Sequence, residues 1–277
     1  MHDNYEIYFF DEIDSTNNEA KRRIAAMDSD SIRPFVLAAR SQTAGRGRQG
    51  KSFYSPKGTG IYLTAVCPVD CPIEGQVTMT TKAAVAVSRA IEGFFGTGCA
   101  IKWVNDIYIN DRKCCGILCE AVNDYERNRL KAVVIGVGVN VSTSDWPEDI
   151  ANIAGSIRKE KLNDAEFEGF TQRLSDEIMK VIYEPDGSEM EYYRAHSYVI
   201  GREISFIEKT DTERTDPAEK DTGTDSIKTD TAKTDTSNTV SFTAQAVDID
   251  ENGGLIVKMP SGELKTLDSG EITVRLV

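Results

Sequence analysis

The sequence predicts an α+β protein, because segments with strand-like and helix-like apolar spacing are mixed along residues 1–198. Residues 199–277 are predicted to form a second domain, in which short apolar runs alternate with glycine-containing turns. That spacing is typical of a small antiparallel barrel. Residues 208–238 consist almost wholly of Thr, Asp, Lys, Glu and Ser, which predicts a disordered insertion within this second domain.

The elements follow in chain order from apolar periodicity and turn residues. Thr16 and Glu19 have the spacing of a capping box, so a helix is predicted to begin there, after the first strand. Asn110 and Asp111 predict a two-residue turn between two later strands. Strands are predicted at 6–13, 35–41, 60–67, 100–103, 107–109, 113–120, 130–141, 201–206 and 240–249, and helices at 77–95, 164–183 and 189–196.

Composition restricts the classes of function. The formal net charge of -13 argues against a broad nucleic-acid surface. The longest apolar run, at 132–141, is too short to span a bilayer, and the polar N-terminus has no secretory apolar segment. The sequence therefore predicts a cytoplasmic protein with no membrane or nucleic-acid partner, in which the 6 cysteines are reduced.

Histidine and cysteine usage narrows the chemistry further. The only histidines are His2 and His196, so a Ser-His-Asp or Cys-His hydrolase is not favoured. The cysteines lack the spacing of a zinc site with partner histidines, and buried thiols are the better interpretation. No metal site made by protein ligands is predicted.

A glycine- and arginine-rich segment stands out against the acidic background. Residues 45–50 read GRGRQG, and we call this segment the glycine loop. Its glycines let the backbone approach a ligand closely, and its arginines are fixed cations that bind carboxylate or phosphate. The loop alone is equally compatible with an ordinary surface loop or an RNA-binding Gly-Arg tract. The window from 40 to 57 holds no Asp or Glu and five cations, namely Arg40, Arg46, Arg48, Lys51 and Lys57.

A second candidate feature is the hairpin that turns at Asn110 and Asp111. With a two-residue turn, Tyr108 pairs with Lys113, and Asp106 lies diagonally across from Lys113 on the same face. A carboxylate and an ammonium group would then share one surface beside Gly116. A solvated cross-strand ion pair without function is the alternative interpretation, and the hairpin alone favours it.

A third feature is the strand that reads VIGVGVNV at 134–141. Glycines at alternate positions of a buried strand indicate close approach by another backbone or by a ligand. Asn140 adds a polar side chain that both donates and accepts. Ordinary strand packing followed by a turn is the alternative interpretation.

In combination and in this order, the segments resemble those of the biotin–protein ligases, also called biotin–[acetyl-CoA-carboxylase] ligases. They are STN at 15–17, QTAGRGRQG at 42–50, KWVND at 102–106, KCCGILCE at 113–120, GVGVN at 136–140 and SGEITVR at 269–275. The resemblance covers nearly the whole chain and breaks at the insertion. It implies a mixed β-sheet with flanking helices, of the class II synthetase and biotinyl/lipoyl ligase type, and an SH3-like C-terminal barrel. It also implies the short form that lacks a preceding DNA-binding domain.

The resemblance implies a two-step reaction that uses ATP, Mg²⁺ and biotin. The biotin carboxylate attacks the α-phosphate of ATP to give biotinyl-5'-AMP and pyrophosphate. A lysine amine of a biotin carboxyl carrier protein then attacks the activated carbonyl, and AMP leaves. The implied partners are therefore biotin, ATP and this carrier protein, and a homodimer is compatible with the family.

The resemblance also assigns residues. Arg48, Lys113 and Asp106 are expected to be catalytic. The expected biotin contacts are Ser15, Thr16, Asn17, Gln42, Gly45, Arg46, Gly47, Arg48, Trp103, Lys113 and Gly116. The expected nucleotide contacts are Arg46, Arg48, Phe53, Asn105, Asn140 and Arg275.

The chain departs from the family pattern at two positions. Val104 stands where Pro is usual, and Phe53 stands where Trp is common, which reduces the apolar cover expected over the adenine. A lipoate–protein ligase and a non-catalytic biotin or nucleotide sensor are the alternative functions. The glycine loop and the KWVND segment favour biotin over lipoate, and the intact Lys113 and Arg48 argue against a sensor.

Overall fold

Two β-sheets organise the structure, which is a computed structural model that describes residues 5–27, 31–72, 76–124, 129–209, 239–268 and 272–274. The first sheet has strand order β1-β2-β3-β7-β6-β5-β4, and the second has order β11-β10-β9-β8-β12. Among the described residues, no helix is long and apolar enough to cross a membrane. The predicted α+β fold with a separate small antiparallel sheet is confirmed.

The seven-stranded sheet is mixed. Strands β1 and β2 pair in parallel, and every other neighbouring pair is antiparallel. Its centre is the long pair β3 and β7, whose Val, Ile, Leu and Ala side chains are buried except for the partly buried Val69. The strands are β1 Glu6–Phe10, β2 Phe35–Ala39, β3 Gly60–Pro72, β4 Ala100–Lys102, β5 Asp106–Ile109, β6 Arg112–Asp124 and β7 Arg129–Asn140.

Helices cover both faces of this sheet. The helices are α1 Thr16–Ala25, α2 Gln76–Phe95, α3 Asp164–Tyr183 and α4 Glu189–Ala195. On one face, Ala20 and Ile24 of α1 pack against Leu37, Val66 and Val134. The alternate strand residues face the larger core beneath α2 and α3. Period-2 alternation thus divides the sheet between two apolar layers.

The N-terminus of α1 differs from the prediction. Ser15, and not Thr16, is the N-cap, and its side chain accepts a hydrogen bond from the Asn18 amide. The capping box predicted for Thr16 and Glu19 is therefore wrong. Tertiary contacts explain why Thr16 is not the N-cap. Its hydroxyl is hydrogen-bonded to Gln42 and Thr64, which belong to other segments.

The second sheet consists of β8 Glu203–Lys209, β9 Thr239–Ile249, β10 Leu255–Lys258, β11 Leu264–Leu267 and β12 Ile272–Val274. Its strands pair antiparallel, as the turn spacing predicts. Lys209 pairs with Thr239, so the two ends of the Thr/Asp/Lys-rich segment meet at one place. The segment itself, from 210 to 238, lies outside the described residues. The domain boundary at residues 198 and 199 stays a prediction.

Candidate active site

A cavity of about 430 Å³ lies where the glycine loop, the start of α1, the β5–β6 hairpin and the end of β7 converge. Among the described residues, every predicted site residue except Gly45 lines it. The lining residues that were predicted are Ser15, Thr16, Asn17, Gln42, Arg46, Gly47, Arg48, Phe53, Trp103, Asn105, Asp106, Lys113, Gly116 and Asn140. Segments separated by up to 125 positions in the chain thus meet at one place, and Arg275 lies outside the described residues.

Gly45 supports the cavity from behind. A Cβ atom at this position would lie 2.4 Å from the Phe53 carbonyl oxygen and 2.6 Å from the Ser55 hydroxyl. The Gly45 carbonyl accepts a hydrogen bond from the Phe53 amide at 2.9 Å. Glycine is therefore required here for the packing of the loop against residues 53–55.

The glycine loop is an ordered hairpin in this structure. The Gly47 amide donates to the Lys51 carbonyl at 2.7 Å, and the Lys51 amide donates to the Arg48 carbonyl at 3.1 Å. Gln49 and Gly50 form the turn with φ of 54° and 75°. Only Gly50 of the three loop glycines needs left-handed backbone freedom, which glycine adopts without a steric penalty.

The start of α1 forms the polar end of the cavity. The Gln42 side-chain oxygen accepts hydrogen bonds from the Thr16 amide at 2.9 Å and the Thr16 hydroxyl at 3.1 Å. The Gln42 side-chain nitrogen donates to Ser55 at 3.0 Å. Ser15, Thr16 and Asn17 are all buried, so their polar atoms are held in fixed directions. Such a network can match a compact polar ligand group.

Glu120 joins the glycine loop to α1, and sequence reasoning missed its role. Its carboxylate accepts from Arg46 at 3.0 Å, from Asn17 at 2.9 Å and from Lys21 at 2.5 Å. Burial raises the pKa of Glu120, but the hydrogen bonds from Asn17 and Lys21 and the nearby cations outweigh it, so the pKa is lowered. The carboxylate is therefore charged across the neutral range.

The predicted pairing of the β5–β6 hairpin is confirmed at the turn, and a bulge between Tyr108 and Ile107 then shifts the register so that Asp106 lies opposite Gly116. Tyr108 lies opposite Lys113, and Asn110 and Asp111 turn with φ of 50° and 60°. The Lys113 ammonium lies 2.7 Å from the Asp106 carboxylate, on the side of the hairpin that faces the cavity. The two side chains are 29% and 20% exposed, so both reach solvent through the cavity.

Arg48 contacts Asn105, the residue immediately before β5. Its guanidinium donates to the Asn105 side-chain oxygen at 3.0 Å. Asn105 in turn donates to the Ile117 carbonyl at 2.7 Å, and its own carbonyl accepts from the Ile117 amide at 2.9 Å. Asn105 is therefore fixed at both ends, and it holds the Arg48 guanidinium at the cavity wall.

The alternate glycines of β7 make room for side chains that form the cavity wall. A Cβ atom at Gly136 would lie 2.1 Å from Asn17 Oδ1, and one at Gly138 would lie 2.4 Å from the Phe53 ring. The close approach predicted from the glycines therefore exists, although side chains make it. Asn140 follows on the same strand and is 4% exposed. Within the described part of the chain, its Oδ1 has no hydrogen-bond partner.

Sequence reasoning missed an apolar rim. Trp146, Ile150 and Ile153 line the cavity, and Ile153 is 53% exposed. Tyr54 lies beside Trp146 with ring centroids 6.2 Å apart. Residues 142–157 have no regular secondary structure, so no periodic pattern marked them.

The second sheet contacts the wall of the cavity through Trp103. The indole nitrogen of this buried residue donates to the Gly253 carbonyl at 2.8 Å. Gly253 lies in the turn between β9 and β10. The turn therefore fixes the ring that separates the cavity from the core.

The cysteines whose side chains are described are free thiols and behave as apolar residues. Cys67, Cys114 and Cys115 are buried. Burial raises the pKa of Cys67 to about 12 and raises that of Cys115 well above its ordinary value. Within the described residues, no group of three or more His, Cys, Asp or Glu side chains could hold a metal ion.

Comparison with known families identifies the fold and its lineage. The model described as "Biotin/lipoate A/B protein ligase family" matches residues 9–140. The model described as "Biotin protein ligase C terminal domain" matches residues 233–275. The chain therefore carries a biotin/lipoate A/B protein ligase domain followed by a biotin protein ligase C-terminal domain. The match at 9–140 contains most of the cavity residues, from Ser15 to Asn140.

Curated relatives match parts of the chain. "Bifunctional ligase/repressor BirA" of Bacillus spizizenii is 40% identical over 124 residues, which are 44% of this chain and 38% of the relative. "Biotin--[acetyl-CoA-carboxylase] ligase" of Mycobacterium tuberculosis is 29% identical over 198 residues, which are 69% of this chain and 70% of the relative. The matched segment thus spans less than half the length of the Bacillus relative.

A solved structure has a similar fold. The biotin protein ligase from Aquifex aeolicus in complex with biotin and ATP aligns with a TM-score of 0.68 and 22% identity. The alignment covers 98% of each chain. At this identity the likeness establishes the fold, and the assignment of chemistry depends on the residues of the cavity.

Proposed function

We propose that this protein uses ATP to join biotin to a lysine of a biotin carboxyl carrier protein, through biotinyl-5'-AMP. One observation carries the proposal: a single cavity brings Arg48 and Lys113 to the polar network at the start of α1. The Arg48 and Lys113 side chains suit two anionic groups, and the network suits a compact polar head group. The family match supports the same reaction class.

In the first step, a carboxylate oxygen of biotin attacks the α-phosphorus of ATP, and the bond to the bridging oxygen of pyrophosphate breaks. Both reactants are anions, so they repel each other outside a site that supplies fixed positive charge. Lys113, whose ammonium lies 2.7 Å from Asp106, is proposed to contact the biotin carboxylate and the α-phosphate. Arg48 adds a second cation from the glycine loop. Fixed charges of this kind stabilise charge that develops in a transition state.

The polar network is proposed to hold biotin. Ser15, Thr16, Asn17 and Gln42 would bind the ureido head, because their polar atoms converge on one end of the cavity. Backbone groups of Gly45, Gly47 and Gly116 would border the same ligand, and Trp103 would form its apolar wall. Arg46 also lines the cavity, and its side chain is 37% exposed.

Asn140 is proposed to contact the nucleotide. Its side-chain oxygen is buried without a partner among the described residues, and a buried acceptor of this kind is costly unless a ligand N–H satisfies it. An adenine amino group would supply that N–H. Phe53 and Asn105 border the same region, and Arg275 is proposed to reach the nucleotide from the C-terminal segment.

The residues present fit Mg²⁺ that arrives with the triphosphate. Asp106 is the one carboxylate among the described residues that line the cavity. Mg²⁺ in such sites is bound by one or two carboxylates together with substrate phosphates, and it keeps several waters. Mg²⁺ would neutralise phosphate charge, while Asp106 would hold it from the protein side.

In the second step, the neutral amine of the acceptor lysine attacks the biotinyl carbonyl carbon. The bond to the phosphate oxygen breaks, and AMP leaves with the electron pair. Asp106 is proposed to lie beside the incoming amine and to accept the proton that the amine loses. The acceptor is proposed to be a biotin carboxyl carrier protein, and ATP supply agrees with the predicted cytoplasmic location.

The test is transfer of labelled biotin or labelled lipoate to a purified biotin carboxyl carrier domain in the presence of ATP and Mg²⁺. We expect biotin to be transferred and pyrophosphate to be released. Transfer of lipoate alone would establish a lipoate–protein ligase. Pyrophosphate release that stays at background with biotin and ATP would establish a sensor. Sedimentation of the purified protein measures whether the predicted homodimer exists.

A further inference from the structure

We propose that Glu120 is a positioning residue that, through Arg46, holds the glycine loop in the conformation described above. The inference deepens the proposed function and rests on it only where adenylate release is concerned. It does not place Glu120 in contact with biotin or ATP, since Glu120 is not among the residues that line the cavity.

The geometry of the carboxylate supports this role. One oxygen of Glu120 accepts from both Asn17 and Arg46, at 2.9 and 3.0 Å, and the other accepts from Lys21 at 2.5 Å. The donors come from the glycine loop and from two turns of α1, while Glu120 itself belongs to β6. A single side chain therefore connects three elements around the cavity.

The Arg46 guanidinium also contacts α1 directly. It donates to the Asn18 side-chain oxygen at 3.3 Å, beside its ion pair with Glu120. The Arg46 guanidinium therefore contacts α1 and β6, whereas the Arg48 guanidinium contacts Asn105. The two arginines are thus proposed to have different roles. Arg46 fixes the base of the loop, and Arg48 brings positive charge to the cavity.

The environment makes the carboxylate effective. Glu120 is 18% exposed, and its fixed partner Asn17 also accepts from the buried Thr64 hydroxyl at 2.7 Å. Charge-assisted hydrogen bonds in such partly buried sites are stronger than those between neutral groups. Arg46 is 37% exposed, so solvent screens its share of the interaction.

The test is hydrogen exchange of the free protein, measured on peptides that contain residues 43–53. In Glu120→Gln we expect amide exchange in the glycine loop to rise by about three- to tenfold, which is the scale of one screened charge-assisted hydrogen bond. Peptides from β3 and α2 should exchange at the wild-type rate. Glu19→Gln is the matched control. Like Glu120, Glu19 pairs with two cations, but these are Arg22 and Arg23 of α1 and not a residue of the glycine loop.

A double-mutant cycle separates the proposed contact from a general loss of stability. In an Arg46→Gln background, Glu120→Gln should add little further exchange in the loop. Additive effects of the two substitutions, or a loop that exchanges at the wild-type rate in Glu120→Gln, would overturn the proposal. If Glu120→Gln melts far below the wild type, Lys21→Gln provides the milder variant, with a smaller rise in loop exchange.

A second readout depends on the proposed reaction. Glu120→Gln should release labelled biotinyl-5'-AMP about three- to tenfold faster than the wild type, by the same screened interaction. Release at the wild-type rate despite faster loop exchange would overturn the role in retention. If the wild-type protein forms no adenylate while loop exchange responds as expected, the proposed function fails and the contact stands.

Discussion

Replacing Lys113 by Met tests the proposed chemistry most directly. Met keeps the length and the apolar stem beside Gly116 and Phe53, where the Lys113 Cε lies 3.3 Å from the position of a Gly116 Cβ. The substitution therefore removes charge and little volume. We expect adenylate formation to slow, because the cation that draws the biotin carboxylate and the α-phosphate together is lost.

The expected magnitude follows from the position of the ammonium group. Two unit charges about 4 Å apart interact by about 4 kcal/mol at an effective dielectric constant of about 20. Lys113 is 29% exposed, so solvent reduces this value. About 3 kcal/mol of transition-state stabilisation corresponds to a rate that is about 100-fold lower.

The assay is pyrophosphate release in a single turnover with biotin and ATP, before any acceptor is added. Lys131→Met is the matched control, because Lys131 lies on β7 of the same sheet and does not line the cavity. Its rate should equal that of the wild type. Adenylate formation at the normal rate in Lys113→Met would refute the assigned role of the ammonium group.

Three further predictions concern the same site. Gly136→Ala, whose Cβ would lie 2.1 Å from Asn17 Oδ1, should weaken biotin binding about tenfold in calorimetry. Gly98→Ala is its control, because a Cβ at Gly98 would have nothing within 4 Å. Equal biotin affinities of Gly136→Ala and the wild type would contradict the packing argument. Arg48→Ala should release labelled adenylate about tenfold faster in a chase experiment, since it removes a charge-assisted hydrogen bond, and unchanged release would exclude a role in retention. Replacing 210–238 by Asn-Gly should keep the melting temperature and the transfer rate, because β8 and β9 pair up to both ends of the segment; a loss of transfer alone would indicate acceptor docking there.

Local chemistry in the sequence predicts much of this fold. The α3 helix has the predicted bounds because its apolar period is regular and Asn163 caps it with Glu166. The β5–β6 hairpin follows from the turn at Asn110 and Asp111, whose positive φ values favour short polar residues. The turn places Tyr108 opposite Lys113, and the Lys113 ammonium reaches Asp106 although a bulge that the sequence did not reveal shifts the register between them.

Contacts between distant segments were not predictable in the same way. Glu120 and Arg46 are separated by 74 positions, and no period or turn signal links them. The N-cap of α1 was assigned to the wrong residue for a related reason. Ser15 and Thr16 both suit an N-cap, and only the approach of Gln42 and Thr64 assigns the Thr16 hydroxyl to the cavity.

The glycines show how these two kinds of information combine. The alternate glycines of β7 indicated that another group approaches the strand closely, but they did not identify that group. The structure places Asn17 against Gly136, and Glu120 holds the same Asn17. A methyl group at Gly136 would therefore disturb the polar end of the cavity. It would also disturb the contact between Asn17 and Glu120, the residue that we propose holds the glycine loop through Arg46. If biotin binding and the conformation of the glycine loop both depend on Asn17, Gly136→Ala should raise hydrogen exchange in the loop as well as weaken biotin binding.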